Sequence, residues 1–271
     1  MKRKTRLRIK LLAMWLLPAS GFFALYVVPL LWTFRYSFAS SAFDGGQAGF
    51  HNYVYIWTNE YFLLGLRNLL KTGLTCCLPA FALSLLLSVL MIRHEAAAAF
   101  ALVVLFLPLL IPSVCAAELW KKVYKIDVLT PPGTALMALF TLFLWKCTGP
   151  AAIVLYAALR KLEKEVLEAA MLDGCGEARL TFGMRLPLIR RECALSLVLL
   201  LLYHLRFYKD VYLLYGLYPP KEMYLVQHYM NNQYLKMNAQ YVSAAGASLA
   251  CLCLGLFILA LFVTGRREKK C

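Results

Sequence analysis

Two groups of residues in this 271-residue chain have the types and spacing to do something chemical. The first runs Glu168, Ala169, Ala170, then Asp173 and Gly174, then Met184, Leu186 and Pro187, a Glu-Ala-Ala-x3-Gly-x9-Met-x-Leu-Pro spacing. Paired alanines leave a low helix surface that a partner can approach closely, and Glu168 adds one fixed polar contact. Gly174 permits a sharp bend, because glycine takes positive φ without a Cβ penalty. Such a set makes a docking joint, not a reaction centre. The second group is His204, Arg206, Tyr208, Lys209 and Asp210, in the later part of an apolar run. Ionisable groups at membrane depth are costly, which makes them candidates for a wet path that touches a solute. The competing readings are snorkelling to the outer interface, or pairing with a neighbouring helix. Lys209 and Asp210 point about 100° apart on a helix and do not pair with each other. Lys146, beside Trp145 in another apolar run, either pairs with another helix or snorkels.

Other chemistries find no foothold. The four histidines, at 51, 94, 204 and 228, are too dispersed for an intramembrane catalytic site. Nine cysteines lie mostly inside apolar runs, and neither Cys76-Cys77 nor Cys251-x-Cys253 comes with a second pair or a histidine spacing that would suit zinc. We therefore expect no metal, no disulfide and no cofactor. The phosphate-cradling G-x-x-x-x-G-K-[ST] pattern is absent, so the chain does not bind ATP in that manner.

These residues must be positioned by elements built for lipid. The chain is 62% hydrophobic and only 16% charged, more apolar surface than a water-soluble exterior can hide. A crossing helix needs about 20 apolar residues. Six segments qualify, at about 11–36, 68–92, 96–118, 134–159, 193–215 and 239–264. The expected fold is all-α, polytopic, a single transmembrane domain over 11–264. The net charge of +15 sits in short clusters beside these runs, which fits orientation in a bilayer and not a nucleic-acid face. Six Lys/Arg precede the first span, four follow the last, and seven lie in Arg160–Arg191. By the positive-inside rule the basic N-terminus 1–10, the loop 160–190 and the tail 265–271 are cytosolic. The first apolar run is too long for a cleaved signal and reads as a retained anchor.

Within that loop, apolar positions at three-to-four spacing predict an amphipathic helix over Arg160–Gly176, broken by Gly174 and Gly176. A second short helix is expected over about Glu177–Arg185, ending before Pro187. Helix geometry alone equally describes a helix lying in the membrane interface; the full spacing from Glu168 to Pro187 is what favours a docking joint.

The Glu168–Pro187 spacing resembles the EAA loop of ABC-importer permeases, with Met184 where the family has Ile. Glu168-Ala169-Ala170-Met171-Leu172-Asp173-Gly174 is similar to the form found in carbohydrate permeases. So are Leu16-Leu17-Pro18, Val28-Pro29, Phe50-His51-Asn52-Tyr53, Leu107-Pro108 and Ile111-Pro112, in this order. The resemblance implies the type I ABC importer permease fold in the bacterial cytoplasmic membrane. It also implies partners: two ATP-binding-cassette ATPase subunits gripping the loop, a second and different permease, and an extracytoplasmic solute-binding protein. The solute would be a sugar or sugar-like compound. An ion-coupled secondary transporter needs carboxylates deep in the spans, and Asp210 is the one present. A membrane-embedded enzyme or assembly factor is the remaining alternative.

Overall fold

The computed structural model describes residues 14–16, 18–41, 46–127 and 130–265. The basic N-terminus and the tail beyond Gly265 lie outside the described residues. No strand forms among the described residues, where Ala39 and Gln47 make an isolated bridge. The helices are α1 (Met14–Tyr36), α2 (His51–Thr58), α3 (Glu60–Arg93), α4 (Glu95–Leu110), α5 (Ser113–Tyr124), α6 (Pro132–Leu159), α7 (Lys164–Leu172), α8 (Glu177–Leu180), α9 (Arg190–Arg206), α10 (Tyr208–Tyr215), α11 (Val226–Leu235) and α12 (Ala239–Gly265).

Four of these are long and apolar enough to cross a bilayer: α1, α3, α6 and the Ala239–Ile258 stretch of α12. Of the two remaining predicted spans, one is a bent pair of helices that is apolar and long enough only when taken together, which makes five among the described residues, and the other, at 193–215, is not among the stretches long and apolar enough to cross. The segment expected at 96–118 breaks between α4 and α5, which are bent by 94°. Pro112 explains the break. It has no N–H to donate, its ring excludes the carbonyl four residues back, and it drives Ile111 out of the helical region. Ile111 accordingly sits at φ −73°, ψ 126°. The segment expected at 193–215 is α9 followed by α10, interrupted at Phe207.

Two prolines are absorbed in another way. Five-residue π turns at Phe23–Val27 and Thr181–Arg185 each end two residues before a proline, Pro29 and Pro187. Shifting hydrogen bonds to the fifth residue back widens the turn where the proline ring would strike a carbonyl. This corrects the expectation that the helix from Glu177 stops before Pro187: it runs on through the π turn into Leu188. The helix expected over Arg160–Gly176 is shorter, Lys164–Leu172, because Arg160 caps α6 and Glu163 is extended.

The chain forms two compact units. In the unit of Met1–Phe62 with Tyr229–Cys253, buried Asn52 ties the chain after α1 by donating to the Ser37 and Ala39 carbonyls at 2.9 and 2.8 Å. Tyr55 stacks on Tyr241, and Phe62 meets Tyr229 edge-on.

The larger unit, Leu63–His228 with the chain from Leu254, holds both candidate groups. Here α3 and α6 are joined by a polar ladder. Ser84 Oγ shares its proton between the Ala80 carbonyl of its own helix at 2.6 Å and the Thr148 carbonyl at 2.9 Å, and Ser88 Oγ does the same between the Ser84 carbonyl at 2.6 Å and the Ala152 carbonyl at 2.9 Å. Such hydrogen bonds and small residues hold helices together where lipid supplies no hydrophobic drive. Backbones of α4 and α6 approach closely at Gly149, where a Cβ would lie 2.6 Å from the Leu105 carbonyl carbon and nearer still to its oxygen. A cluster of Leu85, Val89, Leu155, Ala158, Leu159 and Ile189 closes one end of α3 and α6.

Candidate functional site: an exposed loop and a charged break

The loop from α7 to α9 bends at Gly174 for a reason that is visible in its hydrogen bonds. Cys175 N–H donates to the Ala170 carbonyl and Gly174 N–H to the Met171 carbonyl, both at 3.0 Å. This is a Schellman ending, which needs a left-handed residue at Gly174; its φ is +80°. Gly176 takes no such angle and instead precedes the first turn of α8, with φ −66° and ψ 157°.

This bend presents α7 outward. Glu168, Ala169, Asp173 and Gly174 are exposed and Ala170 is half-buried. Sequence reading missed the strongest apolar feature of the joint: Leu172 is 90% exposed, with Val166 and Met171 also open. An apolar residue immediately before Asp173 and Gly174 was the available signal. Behind the bend the structure separates the other named residues. Leu186, together with Leu162, packs against the cluster at the ends of α3 and α6. Met184 is half-buried and Pro187 exposed. Leu186 thus anchors the loop.

An acid that the sequence did not single out sits at the root of α8. Glu177 accepts from Arg93, the last residue of α3, at 2.9 Å, and also from Arg185. Partial burial alone would raise the Glu177 carboxyl, but the hydrogen bonds and charges of Arg93 and Arg185 outweigh it and hold the group below the ordinary carboxylate range.

The second candidate group divides in two. Asp210, in α10, is paired with Lys146 of α6: Nζ to Oδ1 is 2.7 Å, with side-chain exposures of 10% and 8%. Lys146 also donates to Ser113 Oγ at 3.0 Å. One ammonium therefore joins the residue that follows the α4–α5 break to a carboxylate just past the α9–α10 break. His204 is buried as well. Thr72 Oγ1 gives its single proton to the Asn68 carbonyl at 2.7 Å, so His204 Nε2, 3.0 Å away, is the donor to Thr72. Tyr208 is half-buried and meets His228 edge-on at 4.7 Å. Arg206 and Lys209 are exposed. Thus the two exposed cations separate from the buried acid and histidine.

His204 also helps line a cavity of about 330 Å3, with Lys71, Thr72, Thr75, Phe140, Phe207 and Glu222 among its walls. Leu136, Met137, Leu139, Val211, Met223 and Leu225 complete a lining that is mainly apolar. Among the described residues no group of three or more His, Cys, Asp or Glu is placed to hold a metal ion.

The chain matches known proteins over most of its length. Residues 66–269 match the family described as binding-protein-dependent transport system inner membrane component. The osmoprotective compounds uptake permease protein GgtC of Synechocystis sp. is 28% identical over 237 residues, 75% of this chain and 81% of its own length. The diacetylchitobiose uptake system permease protein NgcF of Streptomyces coelicolor is 25% identical over 256 residues, 82% and 72% of the two chains. In fold, the chain is similar to a bacterial ABC transporter involved in the import of the acidic polysaccharide alginate, with a TM-score of 0.82, 21% identity, and 98% of each chain covered. The chain belongs to the family of binding-protein-dependent transport system inner membrane components, permease subunits of ABC importers that transport and are not themselves enzymes.

Proposed function

We propose that this chain forms half of the translocation path for a sugar or sugar-like solute in a bacterial plasma membrane. The energy would arrive mechanically, through ATPase subunits that grip the loop of α7 and α8. One observation carries the reading: a rigid Schellman bend at Gly174 displays Glu168, Ala169 and a 90%-exposed Leu172 on a loop whose root is tied to α3. A second permease would complete the path, and a solute-binding protein would deliver the cargo. The names of GgtC and NgcF, and of the alginate importer, support the solute class.

Gly174→Val tests the joint. Nothing lies within 4 Å of a Cβ at this position, so the variant loses only the left-handed backbone, at about 1–2 kcal/mol. That is a factor of roughly 5–30 in the docking-competent loop. Solute uptake and ATPase co-purification are expected to fall together while the permease still inserts. Gly174→Asn, which tolerates the left-handed region, is expected to lose much less. Full uptake by the valine variant would remove the joint from the mechanism.

Arg206 and Lys209 are proposed to face the wet path. Neutralising both to Gln is expected to slow uptake several-fold at unchanged membrane abundance. An unaltered rate and solute range would make them interface anchors.

A further inference from the structure

If α7 is where force enters, some contact must carry the displacement from the loop into the spans. Two kinds of contact join them. The first is apolar: Leu162 and Leu186 rest on the cluster formed by α3 and α6. Packing of this kind resists separation, but it is non-directional and lets surfaces slide. The second is the carboxylate of Glu177. One of its oxygens accepts from Arg93 at 2.9 Å. The other accepts from Arg185, a buried residue of the π turn that also reaches Thr181 Oγ1 at 3.4 Å. Glu177 is the first residue after the Gly174–Gly176 bend, and Arg93 is the last residue of α3. The next residue, His94, is non-helical at φ −119°, ψ 63°. A pull on Arg93 therefore acts on a helix end beside a hinge-like residue, not on the middle of a rigid rod.

We propose that Glu177 is the positioning residue that transmits loop movement to the spans, by holding the end of α3 through Arg93 while Arg185 fixes it to the loop. This rests on the coupling role assigned to the loop above. Charge-assisted hydrogen bonds have fixed direction and short reach, so a displaced carboxylate takes its guanidinium partners with it. The side chains of Arg93 and Glu177 are 44% and 33% exposed, and ion pairs that open contribute little to stability. Removing the link at its exposed end, by changing Arg93, should accordingly disconnect two elements without unfolding either, because the pair of Glu177 with the 8%-exposed Arg185 is kept.

The experiment uses the assembled permease–ATPase complex in liposomes, with Mg-ATP as the probe and deuterium uptake read in two segments, 164–176 in the loop and 85–93 at the end of α3. In the native complex Mg-ATP is expected to change both. In Glu177→Gln the loop response should persist, while the α3 response falls by about fivefold or more, the lower range of a coupling free energy between sites. Arg93→Gln should do the same, and the double variant should be no worse than either single, since both remove one link. The thermal midpoint of Arg93→Gln is expected to stay level, which a purely structural role would not allow, whereas Glu177→Gln also takes the charged partner from buried Arg185 and is expected to lower it. An α3 response in Glu177→Gln as large as in the native complex overturns the proposal. If Mg-ATP moves neither segment in the native complex, the coupling role of the loop fails instead, a separate result.

Discussion

Asp210→Leu is expected to leave little folded permease in the membrane. Lys146 would keep its charge between α5, α6 and α10 with Ser113 as its remaining recorded partner. Removing one member of a buried pair costs about 3–5 kcal/mol, because the other is left uncompensated. That is a large part of a typical net stability. The companion Lys146→Met, Asp210→Leu removes both charges and replaces them with apolar groups of similar length, a change that is near neutral for many buried pairs. The double variant should therefore be more stable than Asp210→Leu alone. Membrane abundance and the thermal midpoint of detergent-solubilised protein measure the difference. Equal behaviour of the single and double variants would mean that Lys146 reaches water without its partner.

Gly149→Ala carries the second large effect. Overpacking a core by a methyl group costs roughly 1–3 kcal/mol when neighbouring side chains can yield. Here the neighbour is the Leu105 backbone, with its carbonyl carbon 2.6 Å from the new Cβ. A whole helix must move, and α4 and α6 separate along the line that buries Ala98, Met91 and Tyr156. Loss of the assembled permease is expected, seen as proteolytic sensitivity and low yield. Gly255→Ala is the control. It meets nothing within 4 Å and exchanges a poor helix former for the best one. Normal yield from Gly149→Ala would show that α4 can shift freely.

Much of the architecture was legible in the chain because its causes are local. Gly174 bends the loop as its backbone freedom predicts. The apolar runs coincide with the four unbroken helices long and apolar enough to cross a bilayer, because length and composition are both readable from sequence. What stayed hidden depends on partners distant in the chain. Lys146 was read as pairing or snorkelling, yet nothing local could select Asp210, which α10 brings to it only after α9 breaks at Phe207. Nothing local marks Glu177 out either; its role depends on Arg93, which α3 brings to it. The helix past Pro187 was missed because a π turn is set by ring crowding and leaves no hydrophobic period to read.

The serine rungs between α3 and α6 have a mechanical consequence. Ser84 and Ser88 are one helical turn apart, as are their acceptors at Thr148 and Ala152. A slip of one turn would re-form a single rung and leave the other hydroxyl only the carbonyl of its own helix, Ala80 for Ser84 or Ser84 for Ser88, as acceptor. The two matched rungs thus key α3 to α6 against sliding, so the pair resists creep along its length more than tilting together.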